Sequence, residues 1–296
     1  MQGSIKYVDG KIYLEEVGPE CTSVRYQLKE VLHSKQSPYQ LVEIADSYDY
    51  GRMLILDGCV NVCERDEANY HEMIAHIPAL LHPKPQSVLV IGGGDGGTVR
   101  ELLKHDSVHS IDVVEIDEEV INSCKKYFPD LASGFNDSRV QLHCEDGVAF
   151  VQRARMSQYS VVIVDSSDPI GPAEGLFTKE FYEACRRVLD DNGIIIAQSE
   201  SPYVYPNVLR QICTLFSDIF PVAVPYRIVM PTYPSGQIYM MMGTMDKHMT
   251  KSFENSRTDN FFAIHSDSLH YLTPDMLKSA FNIPGDMIRL LEREEI

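Results

Sequence analysis

An aspartate interrupts a glycine-rich stretch, "SVLVIGGGDGG", that begins at Ser87. The apolar letters predict a buried strand, and Gly92, Gly94 and Gly97 match the spacing G-x-G-x-x-G ahead of a helix. Such turns ordinarily hold an anion, because backbone N–H groups and the positive end of the helix dipole point at it. The carboxylate of Asp95 instead favours a ligand with a cationic group, unless it only caps the following helix.

Two further strand ends carry residues suited to a nucleoside. Glu115 ends the second strand, "SIDVVEI", about twenty residues on, where an acid can bind both ribose hydroxyls; the alternative is a solvated acid. Asp146 and Gly147 end the third strand and can contact an adenine amino group, while Asp146 can also cap the next helix. Because these strand ends line one crevice of a doubly wound sheet, we expect an adenosyl ligand with a cationic tail.

Acids also follow the fourth strand. In "YSVVIVDSSDPIGPAEGLF", Asp165 and Asp168 come after a fully apolar strand that directs them toward the crevice. The Pro- and Gly-rich loop behind them can close over a site, and the alternative is a pair of surface acids in a turn. In "PTYPSGQ", two prolines and a glycine constrain a loop that displays Tyr233, although a packed ring also explains this residue.

The elements that must position these residues fall into two groups. Short alternating segments before Asp66 predict a small antiparallel β domain of about five strands. After a helical segment ended by "HPKPQ", strands and helices alternate, which predicts a parallel sheet covered on both faces and closed by two antiparallel strands. We assign residues 1–66 to the N-terminal β domain, 67–85 to a connecting helix and linker, and 86–296 to the α/β domain.

The composition disfavours several classes of function. The net charge of −17 repels phosphate backbones and anionic lipid, so we expect neither nucleic-acid nor membrane binding. The seven cysteines are scattered without C-x-x-C pairs or zinc-type spacing, which predicts free thiols and no metal site. The N-terminus shows no signal-peptide pattern and no apolar run is long enough to span a bilayer, so we expect a cytoplasmic protein.

Five segments together resemble the polyamine aminopropyltransferases, most closely the spermidine synthases, over about residues 23–245. They are "ERDEANYHEMIAHIP", "VIGGGDGGTVRELLKH", "VVEIDEEVI", "DSSDPIGPAEGLF" and "PTYPSGQ". The resemblance implies a Rossmann-like, methyltransferase-type α/β sheet behind a small antiparallel β domain, and a homodimer. It also implies transfer of an aminopropyl group from decarboxylated S-adenosylmethionine, a co-substrate, to putrescine. The products are spermidine and methylthioadenosine, and neither a metal nor a cofactor takes part.

The resemblance assigns a role to each matching residue. The donor-binding residues are Gln40, His71, Asp95, Glu115, Asp146, Gly147 and Pro172. The diamine-binding residues are Tyr70, Asp165, Asp168 and Tyr233, with Asp165 as the proton acceptor. Because an alkyl amine has a pKa of about 10.4, we expect Asp165 to be partly buried and its pKa raised by Asp168, unless water relays the proton.

Departures from the family pattern concern the acceptor end. The chain has no tryptophan, Val17 precedes Gly18-Pro19 where a Trp is common, and Ala68 replaces a common Phe. Agmatine, cadaverine or a longer polyamine therefore remain alternative acceptors.

Two functions of other classes also fit the fold. An S-adenosylmethionine methyltransferase is disfavoured by Asp95 and by the pair Asp165 and Asp168. A catalytically inactive binding or regulatory subunit is disfavoured because all the expected acids are present.

Overall fold

The N-terminal part of the chain is a six-stranded antiparallel sheet with its strands in sequence order. In the computed structural model, which describes residues 2–18, 23–167, 171–249, 253 and 255–292, these strands are β1 (Gln2–Val8), β2 (Lys11–Val17), β3 (Ser23–Gln36), β4 (Leu41–Ser47), β5 (Arg52–Leu56) and β6 (Cys59–Cys63). The prediction of about five strands missed β1. Its signal was the pair Asp9-Gly10, whose φ angles of 49° and 74° form the tight hairpin turn into β2.

A single helix, α1 (Glu67–Leu81), connects this sheet to the rest of the chain. It is buried on nearly all sides, so it shows little of the one-sided apolar pattern of a surface helix. Met73 and Ile74 pack in one apolar cluster with Ile44 of β4 and with strands of the second sheet. The helix thus packs in a core that both sheets share.

The second sheet has seven strands in the order β12-β13-β11-β10-β7-β8-β9. They are β7 (Ser87–Gly92), β8 (Ser110–Glu115), β9 (Val140–Cys144), β10 (Tyr159–Asp165), β11 (Leu189–Gln198), β12 (Val222–Val229) and β13 (Gln237–Thr244). The first five are parallel, and β12 and β13 are antiparallel, as predicted. From β7 the strand order runs outward to β8 and β9, and the chain then returns to place β10 on the other side of β7. A crevice opens at the carboxyl ends of β7 and β10, where the strand order reverses.

Helices cover both faces of this sheet. They are α2 (Gly97–Leu102), α3 (Glu118–Tyr127), α4 (Gly147–Arg153), α5 (Lys179–Val188), α6 (Pro206–Ile219), α7 (Ser256–His265), α8 (Pro274–Ser279) and α9 (Gly285–Glu292). Alternate residues of β7 belong to different apolar clusters, Val88 and Val90 to one and Leu89 and Ile91 to the other. The architecture is therefore the predicted Rossmann-like α/β sheet. Within the described ranges, no helix has the length and hydrophobicity to cross a membrane.

Candidate functional site

Glycines bring the turn after β7 against two neighbouring elements. Gly92 has φ 81°, and a Cβ there would lie 2.0 Å from the carbonyl oxygen of Asp165 in β10. The N–H of Gly93 donates to that carbonyl at 2.9 Å. A Cβ on Gly97 would lie 2.3 Å from Nδ1 of His71 in α1. Gly92 and Gly97 thus permit approaches that a side chain would block.

Asp95 lies in this turn between a helix terminus and a histidine. Its Oδ1 accepts the N–H of Gly97 at 2.7 Å and lies 3.2 Å from Nε2 of His71. The contact with Gly97 is the helix cap that the sequence offered as the alternative role of Asp95. Asp95 makes this contact and the contact with His71 at the same time. Burial alone would raise the pKa of Asp95, but His71 and the N–H of Gly97 hold it below its ordinary value. Asp95 is therefore an ionised carboxylate.

His71 is held between two carboxylates. Its Nδ1 lies 2.6 Å from Oε2 of Glu67, one helical turn earlier in α1, and only 2% of its side chain is exposed. Although burial would lower the pKa of His71, Asp95 and Glu67 raise it well above the ordinary value. Arg100 in α2 completes the chain of charges by contacting both oxygens of Glu67, at 3.1 and 2.9 Å. The imidazole is therefore a charged donor to Asp95.

Asp165 ends β10 and accepts two hydroxyl hydrogen bonds. Tyr70 donates to its Oδ1 at 2.8 Å, and Thr98 donates to its Oδ2 at 2.6 Å. Burial raises the pKa of Asp165, the charge of Asp95 raises it further, and His71, Thr98 and Tyr70 partly oppose this shift. The side chain thus has the raised basicity expected of a proton acceptor. Asp95 supplies the like charge, whereas Asp168, the expected source, lies outside the described residues.

The three groups at the centre of the site are close enough to share one cation. Ligand-type atoms of His71, Asp95 and Asp165 all lie within 4.8 Å of one another. A metal ion would need a neutral imidazole, whereas the two flanking carboxylates keep His71 protonated. An organic ammonium group needs only the carboxylate oxygens of Asp95 and Asp165, so the arrangement suits an amine better than a metal.

The residues predicted to bind a nucleoside lie at the neighbouring strand ends. Glu115 accepts the N–H of Asp117 at 2.9 Å, and burial raises its pKa to about 7. Asp146 accepts the N–H of Ala149 at 2.9 Å and so caps α4, which is the second role that the sequence predicted for it. Gln40 reaches the site from the N-terminal sheet, where its Nε2 donates to Asp117 at 3.0 Å. Carboxylates and an amide thus line the edge where a ribose and a base could bind.

Two adjoining cavities are lined by most of these groups. The first, of about 120 Å³, is lined by every predicted site residue that the structure describes: Gln40, Tyr70, His71, Asp95, Glu115, Asp146, Gly147, Asp165, Pro172 and Tyr233. The second, of about 160 Å³, shares Gln40, Pro172, Gln198 and Tyr233 with the first and continues toward Asp57 and Glu200. The two cavities therefore form one continuous site, and Asp95 and Asp165 line the first of them.

Four residues at the site were missed from the sequence. Gln198 ends β11, and its side chain lies 2.8 Å from the hydroxyl of Tyr70. The polar end of "GIIIAQSE" was a usable signal for it and for Glu200, whose φ of 71° is uncommon for a residue with a side chain. Asp117 stands two positions after Glu115, where a strand-end acid pair could have been noticed. Nothing in the sequence singles out Thr98.

The chain is similar to known proteins over nearly its whole length. A family model described as "Spermine/spermidine synthase domain" matches residues 67–253, and one described as "Spermidine synthase tetramerisation domain" matches residues 12–64. The polyamine aminopropyltransferase of Thermoanaerobacter pseudethanolicus is 42% identical over 274 residues, which cover 93% of this chain and 96% of that protein. That of Methanocaldococcus jannaschii is 46% identical over 226 residues, which cover 76% and 77%.

Solved structures show the same similarity in three dimensions. A spermidine synthase in complex with the transition-state analogue AdoDATO superposes with a TM-score of 0.90 at 32% identity, covering 97% of each chain. The spermidine synthase of Thermotoga maritima gives a TM-score of 0.85 at 32% identity, covering 94% of this chain and 93% of that one.

Proposed function

The chain belongs to the spermine/spermidine synthase family, and we propose that it transfers an aminopropyl group from decarboxylated S-adenosylmethionine to putrescine. The observation that carries this proposal is the position of Asp95 beside Asp165. In this proposal one carboxylate binds the tail of the adenosyl donor, and the other accepts a proton from the incoming amine. The products are spermidine and methylthioadenosine.

The donor binds along the carboxyl ends of β7, β8 and β9 in this proposal. Glu115 binds the ribose, Asp146 and Gly147 bind the adenine, and Gln40 and Pro172 close the nucleoside site. Asp95 binds the ammonium group of the aminopropyl tail, which an ordinary donor carboxylate would oppose. Both ring nitrogens of His71 face carboxylates, so we assign it to orienting Asp95. Its direct contact with the donor stays a prediction.

The acceptor amine needs a free lone pair to attack the aminopropyl carbon bonded to the positively charged sulfur (the sulfonium) of the donor. Freeing that pair at neutral pH costs about 4–5 kcal/mol for an amine with a pKa of about 10.4. Asp165, with its raised pKa, accepts the proton, and the nitrogen attacks the methylene carbon attached to sulfur. The new C–N bond forms as the C–S bond breaks, and its electron pair leaves with sulfur as neutral methylthioadenosine. The secondary ammonium formed carries the positive charge that sulfur loses, and Asp165 releases its proton to solvent before the next turnover.

The acceptor lies on the side of Tyr70 and Tyr233. Burial and the charge of Asp165 raise the pKa of Tyr70 well above its ordinary value, so its phenol remains a hydrogen-bond donor. Tyr233 lies at the boundary of the two cavities, where it can line the path of the amine. The second cavity offers room beyond a diamine, which keeps cadaverine, agmatine and longer polyamines as competing acceptors. The contribution of Asp168 stays a prediction.

Assembly and location are part of the same proposal. The match of residues 12–64 to a tetramerisation domain supports an oligomer, and we expect at least a homodimer. Sedimentation analysis of the purified protein distinguishes a dimer from a tetramer. A cytoplasmic location agrees with the small polar substrates and stays a prediction.

The proposed function is tested by incubating the protein with decarboxylated S-adenosylmethionine and one amine at a time. We expect mass spectrometry to show methylthioadenosine and spermidine with putrescine, and smaller amounts of product with the other amines. Faster turnover of another amine corrects the acceptor but retains the reaction. If no amine releases methylthioadenosine, or if ordinary S-adenosylmethionine binds more tightly than the decarboxylated donor, the proposal is wrong.

A further inference from the structure

We propose that Asp66, which does not line the cavities, is a positioning residue that sets the distance between the two acceptor-side tyrosines, Tyr70 and Tyr233. This inference rests on the proposed function for its kinetic consequence, although its structural part can be tested separately. Asp66 is 3% exposed and stands at the junction between the N-terminal sheet and α1.

Asp66 holds a residue that lies 166 positions later in the chain. Its Oδ2 accepts the N–H of Thr232 at 2.8 Å and also the hydroxyl hydrogen of Thr232. A third contact comes from β3, where the hydroxyl of Tyr26 donates to the carbonyl oxygen of Thr232. Every polar group of Thr232 is thus engaged, and this residue immediately precedes Tyr233.

The loop that carries Tyr233 is closed on itself by hydrogen bonds, so we expect it to move as a unit. Met230 donates its N–H to the carbonyl of Gly236 at 2.9 Å, and Gly236 donates to the carbonyl of Tyr233 at 2.7 Å. The N–H of Tyr233 in turn donates to the carbonyl of Met230 at 3.0 Å. A shift of Thr232 therefore displaces the ring of Tyr233 rather than being absorbed by the loop.

The backbone of the same aspartate begins the helix that carries the other tyrosine. The carbonyl of Asp66 accepts the N–H of Asn69 at 3.0 Å in the first turn of α1, directly before Tyr70. The side chain of Asn69 donates to the carbonyl of Val229 at 2.8 Å, just ahead of the loop. The start of α1 is therefore joined to this part of the chain by two contacts. The contact of Asn69 with Val229 is exposed, and the contact of Asp66 with Thr232 is buried.

The two carboxyl oxygens of Asp66 differ in their hydrogen bonding, which is unfavourable for a residue that only stabilises the fold. Oδ2 receives both hydrogen bonds, whereas Oδ1 is buried without a hydrogen-bond partner among the described residues. Within those residues the ion pairs also do not include Asp66. Burying a carboxyl group with an unsatisfied oxygen costs free energy, so its contribution is better explained by placement of the loop than by stability.

The kinetic test compares Asp66→Ala with a control in α1, the helix that Asp66 precedes. Glu72 is likewise a buried acid outside both cavities that accepts backbone N–H groups from a distant segment, but its partners are His270 and Leu272 instead of the loop of Tyr233. Loss of two hydrogen bonds should raise the KM for putrescine about tenfold in Asp66→Ala. The Kd of the donor should change less than about twofold, and Glu72→Gln should leave both constants unchanged. Equal losses at both substrates, or an unchanged KM, overturn the proposal.

Two milder variants cover the case in which Asp66→Ala does not fold. Thr232→Val removes one of the two donors to Asp66 and should raise the KM for putrescine by about threefold, whereas Thr232→Ser should restore it. A Thr232→Val protein with wild-type KM contradicts the proposal, as does a Thr232→Ser protein that is no better than Thr232→Val.

A structural readout separates this inference from the reaction itself. Hydrogen exchange of the backbone amides of residues 230–236 should be faster in Asp66→Ala or Thr232→Val than in the wild type, and unaltered in Glu72→Gln. Unchanged exchange refutes the positioning role even if the enzyme makes spermidine. Faster exchange supports that role even if the proposed substrates prove wrong.

Discussion

Nε2 of His71 lies 3.2 Å from Oδ1 of Asp95, and the same imidazole is held at Nδ1 by Glu67. This contact keeps Asp95 ionised, while the charge of Asp95 raises the pKa of Asp165 nearby. The two aspartates therefore differ in character although both are surrounded by protein. One suits the binding of a cation, and the other suits the acceptance of a proton.

Replacing Asp95 should weaken the binding of the decarboxylated donor. Asp95→Asn removes the negative charge that faces the ammonium group but retains a side-chain oxygen for the N–H of Gly97. Since hydrogen bonds to charged groups contribute about 1.5–3 kcal/mol, affinity should fall about 10- to 150-fold. The preference over ordinary S-adenosylmethionine should narrow, as measured by calorimetry with each donor. Unchanged discrimination assigns Asp95 to helix capping alone.

Two substitutions should move the pH dependence of turnover in opposite directions. His71→Gln removes a positive charge that lowers the pKa of Asp165, so the acidic limb of kcat should shift to higher pH. Asp95→Asn removes a negative charge that raises it, so the limb should shift to lower pH, with Glu67 still holding the charge on His71. Glu119→Gln, in the surface contacts with His33 and Lys35, serves as a control. Shifts in the same direction exclude Asp165 as the titrating base.

Removal of the proposed base should reduce turnover more than binding. Asp165→Asn keeps the size of the side chain and should lower kcat by about 10²- to 10⁴-fold, with little change in donor affinity. Asp112→Asn is a suitable control, because Asp112 lies on the neighbouring β8 and contacts Tyr159 and His143 outside the cavity. Wild-type turnover in Asp165→Asn, measured by methylthioadenosine release, shows that another group or water takes the proton.

Glu115 should make the unliganded protein less stable as the pH rises. Burial raises its pKa from 4.5 to about 7, so between these values the folded state retains a proton that the unfolded state has lost. The free energy of unfolding therefore falls as the pH rises through this window. Glu115→Gln removes the effect, so its melting temperature relative to the wild type should be higher at about pH 8 than at about pH 5. Its donor affinity should fall at both, because the amide loses an acceptor for the ribose hydroxyls. A pH-independent difference in melting temperature contradicts the raised pKa.

Local sequence patterns predicted most of the strands and helices after β1, together with the strand ends. The apolar run before the glycines predicts β7, and the acids Glu115 and Asp165 mark the carboxyl ends of β8 and β10. Because parallel strands end at one edge of the sheet, the sequence alone predicts that their terminal side chains lie close together. The hairpin of β1 was missed only because the Asp9-Gly10 turn signal was passed over.

What stands next to each acid was decided by the tertiary structure. Among the described residues, the charge of Asp95 raises the pKa of Asp165, and Glu67 with Arg100 sets the charge of His71. Likewise, no local pattern connects Asp66 to a threonine that lies 166 positions later. The sequence by itself determined which residues reach the edge of the sheet, since backbone periodicity is local. Their pKa values and partners depend on distances of a few ångströms across different elements, which arise only when α1 packs between the two sheets.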